Sequence, residues 1–187
     1  MSGLLWIVLG FAGALTIIGL HGRMASFMAQ KPADYAGTVP QLDLRDHLNG
    51  TLRCEGIIYG PLGRVTSRFS ADFVASWEGN RGVIAEHFTY DSGNTQDREW
   101  RLEVGNDGTV RAEADDVVGT GQGELSGSAL RLTYRIRLTR EAGGHVLDTT
   151  DWMYLTPSGT IVNRSQFRKF GVKVGELVAT LQRVDAA

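Results

Sequence analysis

From about residue 51 to residue 183 the chain alternates apolar and polar side chains, with almost no helical period. In the segment 65–77, for example, Phe69, Phe73 and Trp77 fall on odd positions, with polar residues between them. Successive side chains of a β-strand point to opposite faces of a sheet, so this alternation predicts a half-buried strand. The pattern predicts ten such segments: 51–59, 64–77, 82–90, 95–104, 109–114, 119–125, 128–138, 145–155, 160–170 and 172–183.

Short loops join these segments, and they carry turn residues such as the Gly-Pro of 60–61, the Asn-Asp-Gly of 106–108 and the Gly-Gly of 143–144. Short loops force neighbouring strands to be antiparallel. A long open sheet would leave edges with unpaired backbone groups, which closure removes. We therefore predict an all-β fold, an antiparallel up-and-down β-barrel of eight to ten strands that is calycin-like or lipocalin-like. A two-layer sandwich is the alternative.

The N-terminal part of the chain has a different character. Residues 4–20 form an uncharged, mostly apolar run of 17 residues, which is the lower limit for a helix that crosses a bilayer. We interpret residues 1–22 as an N-terminal transmembrane helix, residues 23–41 as a linker, and residues 42–187 as the barrel domain. A secretory signal and a buried core helix are the alternatives for the first segment.

Composition narrows the range of functions. The 19 basic and 21 acidic residues are spread along the chain, with a net charge of −2, so no nucleic-acid partner is predicted. The four histidines are scattered without metal-ligand spacing, and neither a metal site nor a cofactor is predicted.

Cys54, the single cysteine, falls on an apolar face and is expected to be a buried, inert thiol. The adjacent pair Asp115 and Asp116 is interpreted as turn-capping.

Two charged residues fall on the predicted apolar faces of neighbouring strands. Glu86 alternates in phase with Ile84 and Phe88, and Arg98 alternates in phase with Trp100. Burying a charge is costly unless it is paired, so we expect Glu86 and Arg98 to face each other inside the barrel. They form either a polar anchor for a ligand, a structural ion pair, or a hydrated barrel mouth.

The segment 151–154 is dense with large side chains, and Trp152 and Tyr154 share one face of their strand. Asn163 is expected nearby on the following strand. The predicted ligand-binding residues are Glu86, Arg98, Trp152, Tyr154 and Asn163. In this hypothesis Arg98 binds a carboxylate or phosphate group, and the aromatic rings flank an apolar part of the ligand.

Several motifs in order resemble a bacterial family, domain of unknown function 3833. They are FTYDSG at 88–93, ADDVVG at 114–119, DWMYL at 151–155 and KFGV at 169–172, together with Arg98, Trp100, Asn163, Arg164, Gly175 and Glu176. The resemblance covers roughly residues 44–181. It implies a membrane-associated bacterial protein, since many members look like lipoproteins. It implies no activity, because none is established for the family.

The chain departs from the family pattern in three places. It has no lipobox cysteine near the end of the apolar segment, so a helical anchor takes the place of a lipid. Ser92 and Thr150 stand where the family usually or often has Asp, which weakens the idea of catalytic paired acids. Arg23 and Lys31 favour a cytoplasmic domain, but lipid-anchored relatives are exported. We therefore expect a single-pass protein of the bacterial inner membrane with a periplasmic barrel.

From these observations we expect a membrane-tethered barrel that binds a small apolar or amphipathic ligand, for example a lipid. Two alternatives stay open. One is an enzyme that acts on a lipid or a small carbonyl compound through a buried carboxylate, Glu86 or Asp151. The other is a structural envelope protein whose barrel is filled with side chains. Whether the protein is an enzyme is left undecided, and no catalytic residue is assigned.

Overall fold

The computed structural model describes residues 3–184, apart from the side chain of Arg23. Within this range the chain forms helix α1 (Gly3–Met24), two short 3₁₀ turns (Phe27–Ala29 and Pro32–Tyr35), helix α2 (Leu44–His47) and ten strands. The strands are β1 (Gly50–Tyr59), β2 (Val65–Glu78), β3 (Arg81–Tyr90), β4 (Thr95–Val104), β5 (Thr109–Glu113), β6 (Gly121–Ser126), β7 (Ala129–Arg137), β8 (Val146–Leu155), β9 (Ile161–Lys169) and β10 (Val172–Arg183).

The ten described strands follow one another around a closed antiparallel barrel, and β10 pairs with β1 to complete it. The closing register runs from Leu52 opposite Arg183 to Tyr59 opposite Glu176. The predicted up-and-down barrel is confirmed, with the largest of the predicted strand numbers. All ten predicted strands are present, and their ends move by no more than a few residues because turns compete with strand pairing there.

Inside the barrel, aromatic side chains lie over glycines of the neighbouring strands. Gly82 is paired with Trp77, and a Cβ atom on Gly82 would lie 2.7 Å from the indole ring. Gly56 lies under the ring of Phe69, where a Cβ atom would also come within 2.8 Å of Ala179 Cβ. These glycines are required by close side-chain approach, since a larger residue would have to displace an aromatic ring.

The two ends of the barrel differ. At one end, which we call the closed end, α2 covers the interior with Leu44 and Leu48, and Trp77 Nε1 donates a hydrogen bond to Leu48 O at 2.7 Å. The opposite end, which we call the open end, carries the turns and loops 60–64, 91–94, 114–120, 138–145 and 170–171.

Residues 25–42, which we call the strap, connect α1 to α2 along the outer face of the barrel. Phe27 is buried with Trp152, and Leu42 N donates a hydrogen bond to Gly127 O at 2.9 Å. Thr38 Oγ1 accepts a hydrogen bond from Ser128 N at 2.9 Å. Part of the predicted linker, residues 23–41, is therefore packed against the barrel through Phe27, Tyr35 and Thr38.

Helix α1 exposes its apolar side chains, including Trp6 and Phe11, to the surroundings. Its segment Gly3–Gly22 is long and apolar enough to cross a membrane. Membrane anchors and signal sequences both have this character.

Candidate functional site

Strands β3 and β4 place Glu86 and Arg98 opposite each other inside the barrel. The two residues are register partners, and both side chains alternate onto the inner face. Glu86 is 8% exposed and the Arg98 side chain is 14% exposed. The predicted pairing of these two residues is confirmed. Their closest charged atoms, Arg98 Nη1 and Glu86 Oε2, are 4.0 Å apart, which is too far for a hydrogen bond.

Asp116 is the closest carboxylate to Arg98. Arg98 Nε donates a hydrogen bond to Asp116 Oδ1 at 3.0 Å, and the guanidinium lies 4.1 Å from the centroid of the Trp100 ring, in a cation–π contact. Asp116 belongs to the loop between β5 and β6. A hydrogen bond from Arg137 N of β7 to Asp116 O, at 2.7 Å, holds this loop at the open end. Asp116 is therefore an ion-pair partner and not the turn-capping residue that the sequence indicated.

A second polar group lies on β8 and β9, facing the same interior. Asp151 accepts hydrogen bonds from Asn163 Nδ2 and from Ser165 Oγ, the latter at 2.8 Å. Asn163 Nδ2 also donates to the backbone oxygen of Trp152 at 3.1 Å. Ser165 was not among the predicted site residues. Asp151 was named only as the buried carboxylate of the enzyme alternative, although it alternates in phase with Met153 and Leu155.

Three inward-facing atoms are buried without a hydrogen-bond partner among residues 3–184: Glu86 Oε2, Arg98 Nη2 and Thr149 Oγ1. Buried polar groups in folded proteins are nearly always paired, and leaving one unpaired is costly. The first two atoms therefore indicate that water or a ligand completes the hydrogen bonding between Glu86 and Arg98.

A cavity of about 90 Å³ lies between the two polar groups. It is smaller than the roughly 300–1,000 Å³ of most small-molecule sites. Its polar walls come from Glu86, Arg98 and Asp151, and the rest is apolar: Leu44, Leu48, Phe73, Ile84, Phe88, Trp100, Leu102, Val110, Leu130, Leu132, Met153 and Leu181.

A larger depression of about 570 Å³ lies against β2 to β4 and the loop 114–120, with Asp72, His87 and Asp97 in its wall. Glu86, Arg98 and Asp116 also line it, so the polar group of the interior borders this open depression as well as the enclosed cavity.

Burial controls the protonation of the interior carboxylates. Burial raises the pKa of Glu86 to about 8; the charge of Arg98 opposes this shift, and the charges of Asp116 and Asp151 add to it. Burial also raises the pKa of Asp151, despite its hydrogen bonds from Ser165 and Asn163. Glu86 therefore keeps its proton at neutral pH, while the charge of Arg98 is balanced by Asp116.

Trp152 and Tyr154 lie on the outer face of β8, opposite in direction to Asp151. Their rings stack at 5.8 Å, and the Tyr35 ring of the strap packs on both, at 5.2 Å and 5.4 Å. Tyr154 Oη donates a hydrogen bond to Gln30 Oε1 at 2.8 Å. This aromatic group attaches the strap to the barrel wall.

The structure thus brings Glu86, Arg98 and Asn163 to one interior but leaves Trp152 and Tyr154 outside it. The grouping of all five residues in one pocket is corrected on this point. The physical reason is that side chains alternate between the two faces of a strand, and the odd-numbered residues of β8 point inward. Trp152 and Tyr154 therefore point outward, and the strap buries them instead of the core.

The closed barrel with an enclosed polar group defines a calycin-like β-barrel protein. Its residues 22–183 match the model of a family described as Protein of unknown function (DUF3833), and the chain belongs to this family. The resemblance found in the sequence is confirmed. No curated protein matches the chain.

Three solved structures are similar in fold. The S-type phycobiliprotein lyase CPES from Guillardia theta has a TM-score of 0.55 at 6% identity, covering 77% of this chain and 92% of the lyase. Rv2717c from M. tuberculosis has a TM-score of 0.55 at 14% identity, covering 79% and 99% of the two chains. A DUF3598 protein of unknown function from Nostoc punctiforme has a TM-score of 0.54 at 14% identity, covering 78% of this chain and 50% of that one. At such identities the likeness shows the fold alone.

Proposed function

We propose that the barrel binds a small amphipathic molecule with an acidic head group, and that α1 anchors the protein in a membrane. The observation that supports this proposal is the buried, unpartnered Nη2 of Arg98 beside an apolar cavity. A guanidinium recognises carboxylate and phosphate oxygens with directional, charge-assisted hydrogen bonds. The apolar wall around it favours a short hydrocarbon part on the same ligand.

Glu86 strengthens the match to an anion. With its pKa raised to about 8 by burial, the neutral carboxyl group donates a proton to a hydrogen bond instead of repelling a negative ligand. Arg98 N–H and Glu86 O–H then act as two donors on one side of the cavity. Above about pH 8 Glu86 becomes an anion, and binding of an acidic ligand is expected to weaken.

The cavity volume limits the ligand. About 90 Å³ accommodates an acidic group with a short apolar chain. A long acyl chain, as in a lipid, requires side chains such as Phe88 and Met153 to move. The dependence of affinity on chain length therefore distinguishes a small metabolite from a lipid.

The test is a calorimetric titration of the detergent-solubilised full chain with straight-chain carboxylates from acetate to octanoate. We expect the affinity to rise with chain length until the cavity is filled, and Arg98→Met to lose at least about tenfold in affinity. Arg111→Met, which removes an exposed arginine from the outer face of β5, is the matched control and should bind as the wild type does. Full carboxylate binding by a folded Arg98→Met variant would refute the proposal. Failure of every carboxylate to bind, with no acid seen by native mass spectrometry of the purified protein, would favour the purely structural barrel.

The raised pKa of Glu86 favours a second candidate, an enzyme that acts on a lipid or a small carbonyl compound. A carboxyl group that titrates near neutral pH is suited to general acid–base catalysis. Wild-type protein would then convert a component of a lipid extract or a small carbonyl compound, detected by mass spectrometry. Glu86→Gln should abolish this turnover, and Glu124→Gln, at an exposed position of β6, should not. Absence of any product with the wild type would rule against catalysis on these substrates.

For the location we infer a single-pass protein of a bacterial inner membrane with the barrel in the periplasm. The exposed apolar segment Gly3–Gly22 supports the anchor. Extraction with alkaline carbonate should leave the protein in the membrane pellet, and protease added to spheroplasts should degrade the barrel. Protection of the barrel would place it in the cytoplasm.

A further inference from the structure

The open end of the barrel presents apolar side chains on two neighbouring hairpin tips. Strands β1 and β10 are paired up to Tyr59 and Glu176, so the β1–β2 turn and the β9–β10 turn project side by side. Leu62 on the first tip is 85% exposed, and Phe170 on the second tip is 91% exposed. Isolated exposed apolar residues are common, but two adjoining tips with such side chains indicate an interaction surface.

The backbone at Phe170 gives a second indication. Phe170 has φ = 51°, a left-handed conformation that bulky residues rarely adopt, and Gly171 follows with φ = 78°. Asn or Gly is the usual choice for such a turn. The ring contacts the Lys169 ammonium, 5.2 Å from its centroid, but stays almost fully exposed. Packing within the barrel therefore does not explain a phenylalanine at this position.

Positive charges surround the two tips. Arg64 lies two residues after Leu62, and Lys169 directly precedes Phe170. Arg168 Nη1 donates a hydrogen bond to Gly171 O at 2.8 Å, which holds its guanidinium at the tip. The acidic Asp91 of the loop 91–94 lies beside the first tip, where it pairs with Arg68 of β2 at 3.1 Å, and Asp115 belongs to the loop 114–120 farther along the rim. An apolar tip among cations matches the chemistry of an anionic lipid surface.

The membrane-anchor candidate ends beside β9, the strand that leads to the tip carrying Phe170. Only Ala25 and Ser26 separate α1 from Phe27, whose ring lies 4.9 Å from the Arg164 guanidinium of β9. Three residues span at most roughly 10 Å, so the C-terminal end of α1 stays beside β9. Arg164 is six residues, roughly 20 Å along the strand, from Phe170.

We propose that the β1–β2 and β9–β10 tips insert into the headgroup region of an anionic bilayer. In this arrangement Leu62 and Phe170 enter the apolar boundary, while Arg64, Arg168 and Lys169 contact lipid phosphates. The open end of the barrel then faces the membrane in which α1 is anchored. This inference rests on the anchoring role proposed for α1 and is independent of any ligand inside the barrel.

The experiment uses the full chain reconstituted in vesicles of phosphatidylcholine with about one-third phosphatidylglycerol. A fluorescent NBD label is attached to a cysteine introduced by Leu62→Cys, or by Ser158→Cys in the exposed turn at the closed end as the control. Cys54 is buried, so the introduced thiol takes the label. Spin-labelled lipids should quench the label at position 62 several-fold more than the label at position 158, and less in vesicles of phosphatidylcholine alone.

Phe170→Asn separates insertion from folding. Asn tolerates the left-handed conformation, so this variant should keep or raise the melting temperature. It should nevertheless lose most of the quenching at position 62, whereas Val74→Asn, on the exposed outer face of β2, should retain it.

Four results would overturn the inference. Equal quenching at positions 62 and 158 would refute docking of the open end, and equal quenching in neutral vesicles would refute the choice of anionic lipid. Unchanged quenching in Phe170→Asn would refute the role of the tip. Protein that does not float with the vesicles would instead refute anchoring by α1 and this inference with it.

Discussion

Glu86 and Arg98 stand directly opposite each other on β3 and β4, yet Arg98 forms its shorter ion pair with Asp116. The Arg98–Asp116 distance is 3.0 Å, against 4.0 Å for Arg98–Glu86. A buried acid without a close cation is most stable in its neutral form. The interior therefore combines one charged pair with carboxyl groups whose pKa values burial raises, Glu86 and Asp151, and this combination determines how the protein responds to pH.

Stability is expected to fall as the pH rises from about 5 to about 8. The pKa of Glu86 is about 8 in the folded protein, above the value of about 4.3 in an unfolded chain. Between these values the folded state holds a proton that the unfolded state has released, so the unfolding free energy decreases with pH and levels off above about 8. Glu86→Gln removes this dependence, which is on the order of a few kcal/mol over the window.

Denaturant unfolding of the two proteins from pH 5 to pH 9 measures this difference. Some slope should remain in Glu86→Gln, because the raised pKa of Asp151 acts in the same direction. Glu124→Gln, at an exposed site, should keep the full wild-type slope. Parallel wild-type and Glu86→Gln curves would show that Glu86 is ionised in the folded protein at neutral pH.

Asp116→Asn should destabilise the barrel by about 2 kcal/mol, because it leaves the largely buried Arg98 without its closest carboxylate. It should also lower the pKa of Glu86, since the charge of Asp116 raises that pKa. Carbon-13 NMR of the Glu86 carboxyl group follows the titration directly. The control is Asp115→Asn, which removes an exposed ion pair with Arg101 and should change neither quantity appreciably. Equal effects of the two variants would contradict the assigned role of Asp116.

Strand alternation was sufficient to predict the barrel and the inward position of Glu86 and Arg98. In β3 and β4 one face is apolar and the other is mostly polar, so the phase of the pattern identifies the inner face. Strand β8 is different, because Leu147 is buried on its inner face and Trp152 on its outer face. A pattern that is apolar on both faces does not reveal which face meets the core.

Two further features depend on contacts that no local pattern contains. Asp116 reaches Arg98 because the loop between β5 and β6 is bonded to β7, which is a tertiary arrangement. The small volume of the cavity follows from how side chains such as Phe73, Phe88 and Trp100 fill the barrel together. The sequence therefore predicts which residues enter the interior but not how much space they leave.

Gly82→Ala should cost about 1–3 kcal/mol, because the new methyl group would overlap the Trp77 ring. The ring has little freedom to move away, since its Nε1 is bonded to Leu48 O. Thermal unfolding measures the loss. In a Trp77→Leu background the same glycine substitution should cost much less, and an equal cost in both backgrounds would show that the strain arises elsewhere.

Gln30→Leu should loosen the strap without affecting the interior. Gln30 Oε1 accepts hydrogen bonds from both Tyr35 and Tyr154, and the substitution leaves two partly buried hydroxyl groups without this acceptor, at a cost of about 1–2 kcal/mol. Hydrogen exchange and limited proteolysis should show earlier opening of residues 25–42. The control Gln122→Leu, at an exposed position on β6, should not open the strap.

The carboxylate affinities of Gln30→Leu and Arg98→Met distinguish two places for the ligand. The aromatic group under the strap lies outside the barrel wall, so loosening the strap should not change binding inside the barrel. Gln30→Leu should bind butyrate as tightly as the wild type does, while Arg98→Met should not. If loosening the strap weakened butyrate binding as much as the loss of Arg98, the ligand would have to lie between the strap and the outer face, where Trp152 Nε1 is also buried without a partner among the described residues. A loss of affinity confined to Arg98→Met would locate the ligand between Glu86 and Arg98, beside their unpartnered atoms.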